Sequence, residues 1–198
     1  TLAFGSSVAG AGDVDGDGLG DILVGAIYQD PNSEIAFLYL GQERFIPELV
    51  SSVYCRTCVG GACSLTVPNL AGLGDTDGDG LSDWLLAGST SVWLIGGQPR
   101  QTIPSTPLAA DIALAELQGE GSQQTVSPAG DINDDGLRDM LIGDPLASLS
   151  HVFVVFGRRP ERAYPNPLNL LTDANLSFVE PAGVVMSLGV SLSPMGDL

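Results

Sequence analysis

The stretch that decides the fold is Gly12-Asp-Val-Asp-Gly-Asp-Gly-Leu-Gly-Asp-Ile-Leu-Val-Gly25, because it occurs three times. It returns as Gly74-Asp-Thr-Asp-Gly-Asp-Gly-Leu-Ser-Asp-Trp-Leu-Leu-Ala-Gly88 and as Gly130-Asp-Ile-Asn-Asp-Asp-Gly-Leu-Arg-Asp-Met-Leu-Ile-Gly143. A fourth copy begins in phase, since Leu188 to Leu198 aligns with Phe4 to Val14 and brings Asp197 onto Asp13. The first Asp of each copy stands at 13, 75, 131 and 197, so the repeat is about 60 residues long. Repeats of that length are whole supersecondary units, and the boundaries fall at about 1–62, 63–119 and 120–183, with a partial unit at 184–198.

Each unit has the same internal grammar. A short apolar run follows the acidic loop (Ile22 to Val24, Trp84 to Ala87, Met140 to Ile142), and a second run is closed by glycine (Ile35 to Gly41, Val92 to Gly96, Val152 to Gly157). These runs are short, rich in β-branched and aromatic residues and bounded by turn formers, which predicts strands. They are apolar at successive positions, so both faces should be covered. A third run is more alternating (Leu49 to Tyr54, Asp111 to Leu117, Leu176 to Glu180), and a strand precedes each loop (Gly5 to Ala9, Leu65 to Leu70, Gln124 to Pro128, Gly189 to Ser193). The expected fold class is all-β: a partial β-propeller of three four-stranded antiparallel blades plus the first strand of a fourth. No segment reads as a clear helix, although Leu108 to Leu117 is rich in Ala and Leu. Propellers close with ~4–8 blades, so the chain is expected to be part of a longer one and to have the remaining blades as partners.

The shared loop reads Asp-x-Asp/Asn-x-Asp-Gly-Leu-x-Asp. Side-chain oxygens at positions 1, 3, 5 and 9 converge if the backbone reverses at the sixth position, where Gly18, Gly80 and Gly136 tolerate unusual dihedrals. The carbonyl of the seventh residue can join them. The candidate ligands are therefore Asp13, Asp15, Asp17, Leu19 and Asp21; Asp75, Asp77, Asp79, Leu81 and Asp83; and Asp131, Asn133, Asp135, Leu137 and Asp139, with Asp197 opening an interrupted fourth set. An all-oxygen set suits Ca²⁺, whereas zinc favours His and Cys, so about three calcium sites are expected. Four carboxylates in nine residues repel by ~1 kcal/mol per pair at 4 Å even in water, and a cation reverses that sign. A solvated Asx turn is the plain alternative for one such loop, but not for three in phase. An EF-hand would need a bidentate Glu at the twelfth position, where Val24, Leu86 and Ile142 stand.

These residues resemble the FG-GAP repeat of the integrin α-subunit N-terminal propeller and its bacterial relatives. Phe4-Gly5 matches the first element and Leu188-Gly189 nearly does, while the second appears in degenerate form at Gly25-Ala26-Ile27, Ala87-Gly88-Ser89 and Gly143-Asp144-Pro145. The resemblance implies a seven-bladed propeller with calcium in the loops joining the first two strands of each blade. It also implies a macromolecular partner, protein or glycan, on the opposite face, formed by Tyr28 to Glu34, Cys55 to Leu65 and Asp144 to Ser150.

Composition agrees with this reading. There are 24 acidic residues against 7 arginines and no lysine, a formal charge of −17, and half of those acids lie in the three loops. Three bound Ca²⁺ would bring the charge to −11. Such a balance excludes a bare nucleic-acid binder, which needs clustered positive charge. No apolar run approaches the ~18 residues of a membrane helix. Cys55, Cys58 and Cys63 cluster without the fourth ligand that zinc takes, and read as a local disulfide with one thiol left over. That, with calcium, points to a secreted or cell-surface compartment. Trp84 and Trp93 lie in apolar runs and read as core rather than as a sugar platform. Arg158-Arg159-Pro160-Glu161-Arg162 is the one basic cluster. No nucleophile and base pair up, and no phosphate loop occurs, so the segment reads as non-catalytic. The expected function is adhesion or macromolecular recognition; the alternative is a scaffold or carbohydrate-binding propeller attached to a hydrolase or lyase domain outside this segment.

Overall fold

A computed structural model describes residues 2–28, 33–43, 47–55, 68–88, 91–121, 124–181 and 187–193. The first blade is a sheet in the order β1 (Leu2–Gly12), β2 (Asp21–Tyr28), β3 (Ser33–Leu40) and β4 (Glu48–Cys55). The second contains β5 (Asn69–Gly74), β6 (Asp83–Ala87), β7 (Val92–Ile95) and β8 (Ala113–Gln118). The third contains β9 (Thr125–Gly130), β10 (Asp139–Asp144), β11 (His151–Val155) and β13 (Leu176–Val179); β12 (Leu168–Asn169) leaves it to join the second blade. All pairs of consecutive strands within a blade are antiparallel. The first strands β1, β5 and β9 are neighbours across blade boundaries, so they are innermost and β4, β8 and β13 outermost. The chain is thus a partial β-propeller of blades.

The doubly apolar runs have a direct cause. Trp84 and Leu86 of β6 pack with Leu23, Leu38 and Leu40 of the first blade, whereas the alternate residues Leu85 and Ala87 pack with Met140, Ile142 and Phe153 of the third. A strand sandwiched between two blades needs an apolar side chain at every position. The outer strand β4 instead alternates, with Ser51, Val53 and Cys55 buried and its other residues exposed or half-buried. All four residues of β13 are exposed.

Two features depart from the expected pattern. The second sheet has five strands rather than four, because β12 adds in parallel to the outer edge of β8, with Leu168 opposite Leu117. An equivalent strap reaches from the second blade to the first. Leu108 bridges Tyr54 in parallel, and the N–H groups of Ser52 and Tyr54 donate to Ser105 and Pro107 carbonyls at 2.8 and 3.0 Å. Each strap carries a Pro-Leu pair, Pro107-Leu108 or Pro167-Leu168, and ends in a single helical turn, α1 (Ala109–Ile112) or α2 (Leu170–Asp173). The apolar stretch at Leu108 to Leu117 therefore divides into one helical turn followed by β8. The second departure is at Gly189 to Ser193, which form no strand because no described strand pairs with them. They nonetheless lie where a fourth inner strand belongs: Thr125 Oγ1 donates to the Gly189 carbonyl, and Gly189 packs on Gly143 much as Pro68 and Leu70 pack on Gly25.

Trp84, buried to 1% exposure between the first two blades, sets the scale of this packing. Trp84→Ala should cost ~3–5 kcal/mol in urea unfolding, with the calcium loops unchanged in sequence.

Candidate metal centre

The acidic loops join β1 to β2, β5 to β6 and β9 to β10, all at one end of the blades. Their reversal occurs where the sequence places it. Gly18, Gly80 and Gly136 have φ of +87°, +88° and +86°, a region that costs an L side chain energy. The fourth loop position is also left-handed: Gly16 and Gly78 hold it in the first two loops, but Asp134 holds it in the third at φ +58°.

Backbone amides then orient the acids. Asp13 accepts from Gly16 N–H and Gly18 N–H through its two oxygens at 2.8 and 2.9 Å, and Asp75 does the same with Gly78 and Gly80 at 2.5 and 3.0 Å. Asp131 accepts from Asp135 N–H and Gly136 N–H at 3.1 and 2.8 Å. The fifth-position acids Asp17, Asp79 and Asp135 each accept from the Leu two residues on, at 2.8, 2.8 and 2.9 Å.

The ninth-position acid is different, being buried. Asp21, Asp83 and Asp139 each accept one N–H from the second loop residue (Val14, Thr76 and Ile132, at 2.7, 2.8 and 2.7 Å). The other oxygen accepts the N–H of the glycine just beyond the third strand (Gly41, Gly97 and Gly157, at 2.8, 2.9 and 2.9 Å). Burial pushes the Asp83 carboxyl up to about 6, against the opposing pull of the Thr76 hydroxyl and the two amides. Burial also raises Asp21, Asp139 and the third-position Asp77. Neighbouring acids in the same loop push in the same direction.

The loops also interlock from blade to blade. Ser82 N–H donates to the Asp13 carbonyl and Gln98 N–H to the Val14 carbonyl, at 2.8 and 3.0 Å; Arg138 and Arg158 repeat both bonds on Asp75 and Thr76, at 2.9 and 2.8 Å. The Leu81 side chain lies against Gly16, and Leu137 against Gly78.

Two of the expected sets come together as carboxylate clusters. Oxygens of Asp13, Asp15 and Asp21 lie within 4.8 Å of one another, as do those of Asp75, Asp77 and Asp83. The spacing and chemistry of these oxygens fit a hard cation. Asp17 and Asp79 stand outside the two clusters and are exposed. In the third loop Asn133 occupies the third position, and its amide donates to Asp135 at 2.8 Å, so no triplet of carboxylates forms there. Leu19, Leu81 and Leu137 occupy the seventh positions that offer a carbonyl. Asp197 lies outside the described residues.

The cysteine reading meets only part of the structure. Cys55 is a buried free thiol whose Sγ accepts the Trp93 indole N–H at 3.0 Å, and burial raises it to about 12. Cys58 and Cys63 lie outside the described residues. Both tryptophans are spent on the core, as the sequence predicts.

Two measurements follow from this geometry. A carboxyl with a folded pKa raised from 3.8 to about 6 favours folding below 3.8, and that advantage is lost as the pH climbs through about 6. In EDTA the urea midpoint should therefore fall between pH 4 and 7, whereas in calcium it should rise over the same interval, because protons compete with metal for the same oxygens. Equal slopes in the two media would contradict the site. Separately, Asp134→Gly should raise the urea midpoint by an equivalent of up to ~1 kcal/mol by relieving the left-handed backbone at the third loop.

Residues 4–34, which run from β1 through the first acidic loop and β2 into β3, match the family described as FG-GAP repeat. No curated protein matches the chain. The second and third loops repeat the reversal and carboxylate clamp of that matched segment.

Proposed function

We propose that the chain is a calcium-stabilised, non-catalytic propeller module of an extracellular protein, working in adhesion or macromolecular recognition. The observation that carries this reading is the pair of three-carboxylate clusters set at equivalent positions in adjacent blades. Acids gathered at that density destabilise the chain by mutual repulsion and desolvation, and a divalent ion turns both terms around. The FG-GAP match supports the module class, since such repeats build non-catalytic propellers. Calcium sites of this exposed, loop-built kind fill where the ion is ~millimolar, which is the extracellular condition.

The partner surface in this reading is the face opposite the loops, where the connection between β10 and β11 holds Leu146 and Leu149 more than half exposed. Of the other two connections expected there, 29–32 and 56–65 lie outside the described residues. No helix among the described residues is long and apolar enough to cross a membrane.

Thermal unfolding with and without calcium tests the premise. Each site should add ~2.7 kcal/mol at a calcium concentration 100 times its Kd. The paired variant Asp15→Ala, Asp77→Ala should lose most of the gain, because those side chains complete the clusters while accepting only a single local amide each. An unchanged melting temperature in millimolar calcium would refute the reading. Loss of binding to matrix proteins after Leu146→Ser, Leu149→Ser, with the calcium gain intact, would support the assigned face.

A further inference from the structure

The Arg158–Arg162 segment that follows the third blade's β11 borders a groove of about 600 Å³ beside the third acidic loop. Its walls combine Arg158, Arg159 and Arg162 with Asn133 and Asp135 of that loop and with the Phe156 ring. Glu161 and Asn175 also line it. The volume lies within the ~300–1,000 Å³ of small-ligand sites. In a chain of net charge −17 this is a local reversal, since three guanidinium groups face two carboxylates.

The three arginines are placed in different ways. Arg158 is fixed over the Tyr164 ring at 5.4 Å, and its backbone N–H donates to the Thr76 carbonyl of the second loop. Arg159 reaches back over the second loop, where its Nη1 lies 2.8 Å from the point a Cβ on Gly78 would occupy. Arg159 and Arg162 are both exposed. Arg159 thus lies in the field of the second loop's carboxylates without forming an ion pair with them, and Asp135 is the internal repulsion on any anion entering the groove.

We propose that this groove binds an anionic polysaccharide through carboxylate or sulfate groups, and that calcium in the second and third loops strengthens that binding. The proposal rests on the calcium reading above. Calcium neutralises the acids that compete for Arg159 and removes the repulsion from Asp135, so the formal charge around the groove moves from +1 to +3 when the third loop alone is filled. Guanidinium groups pair bidentately with planar or tetrahedral oxyanions, the amides of Asn133 and Asn175 suit sugar hydroxyls, and a half-buried ring such as Phe156 suits a sugar face. An acidic peptide is the weaker fit, because the lining comes from loops and offers no free strand edge for main-chain pairing. Elsewhere the acidic surface repels a polyanion, which confines binding to this groove.

The test uses the full 198-residue chain and calorimetric titration at low ionic strength. Probes are dextran sulfate and hyaluronate oligosaccharides of matched length, with neutral dextran and poly-glutamate as controls; the two sugar arms distinguish sulfate from carboxylate as the preferred group. Binding of at least one anionic sugar should be ten-fold or more tighter in calcium than in EDTA. It should weaken at least ten-fold in Arg159→Ala, Arg162→Ala, a variant that leaves Arg158 on Tyr164 and keeps the calcium-dependent gain in melting temperature. Failure of both anionic sugars to exceed neutral dextran, in a chain whose melting temperature does rise with calcium, overturns the groove while the calcium reading stands. Equal affinity in EDTA overturns the coupling, equal affinity of the double variant overturns the assigned residues, and tighter binding of poly-glutamate overturns the choice of polysaccharide.

Discussion

The buried carboxylate at the ninth loop position is the constraint on which the rest depends. Asp21, Asp83 and Asp139 each bind two amides from segments far apart in sequence, one inside the loop and one beyond the third strand. That pair of hydrogen bonds fixes where the loop begins relative to the blade. It also commits the protein to keeping a charge in the interior, an arrangement that is unfavourable unless amides or a cation compensate it. The amides use one direction on each oxygen. In the first two loops the ninth-position oxygens also lie beside two further carboxylates, and on Asp83 the Thr76 hydroxyl donates as well.

Order then passes sideways. The second and third blades each donate two backbone hydrogen bonds to the loop of the preceding blade, one from the acidic loop and one from just beyond the third strand. At the outer edge, the straps before α1 and α2 add a parallel bridge to the preceding blade. Between these rims, β6 shares its alternate side chains between two cores. The propeller segment is therefore held at its inner loops by polar bonds, in its middle by apolar burial and at its rim by strand addition. The two carboxylate clusters lie at the first of these three places, so a cation held there would act on the geometry between blades as well as within one loop.

The repeat made much of this legible. Three phased copies of one loop predict the strand on either side, and consecutive apolar residues such as Trp84 to Ala87 predict a strand with two covered faces. The glycines at positions 18, 80 and 136 stand where the backbone turns left-handed. The straps were less visible because their strands are two residues or fewer and depend on a neighbouring blade for every bond; only the repeated Pro-Leu pair hinted at them. The ninth-position acids read as ordinary ligands in the sequence, whereas the fold shows them as structural clamps. The third loop shows how one residue alters a site: Asn133 in place of Asp keeps the turn and still accepts the Asp135 N–H through Oδ1, but its second side-chain atom, Nδ2, donates to Asp135 instead of adding a carboxylate oxygen. The Arg158 to Arg162 cluster stands out in the sequence only as basic, and the fold shows it beside two acidic loops and Phe156.

Anomalous diffraction from crystals grown in calcium tests the central claim most directly. Difference peaks are expected at the first and second loops, within ~2.3–2.6 Å of oxygens from Asp13, Asp15 and Asp21 and from Asp75, Asp77 and Asp83, with a weaker peak at the third loop. Ordered loops without such peaks at millimolar calcium, or calcium bound elsewhere on the blades, would contradict it.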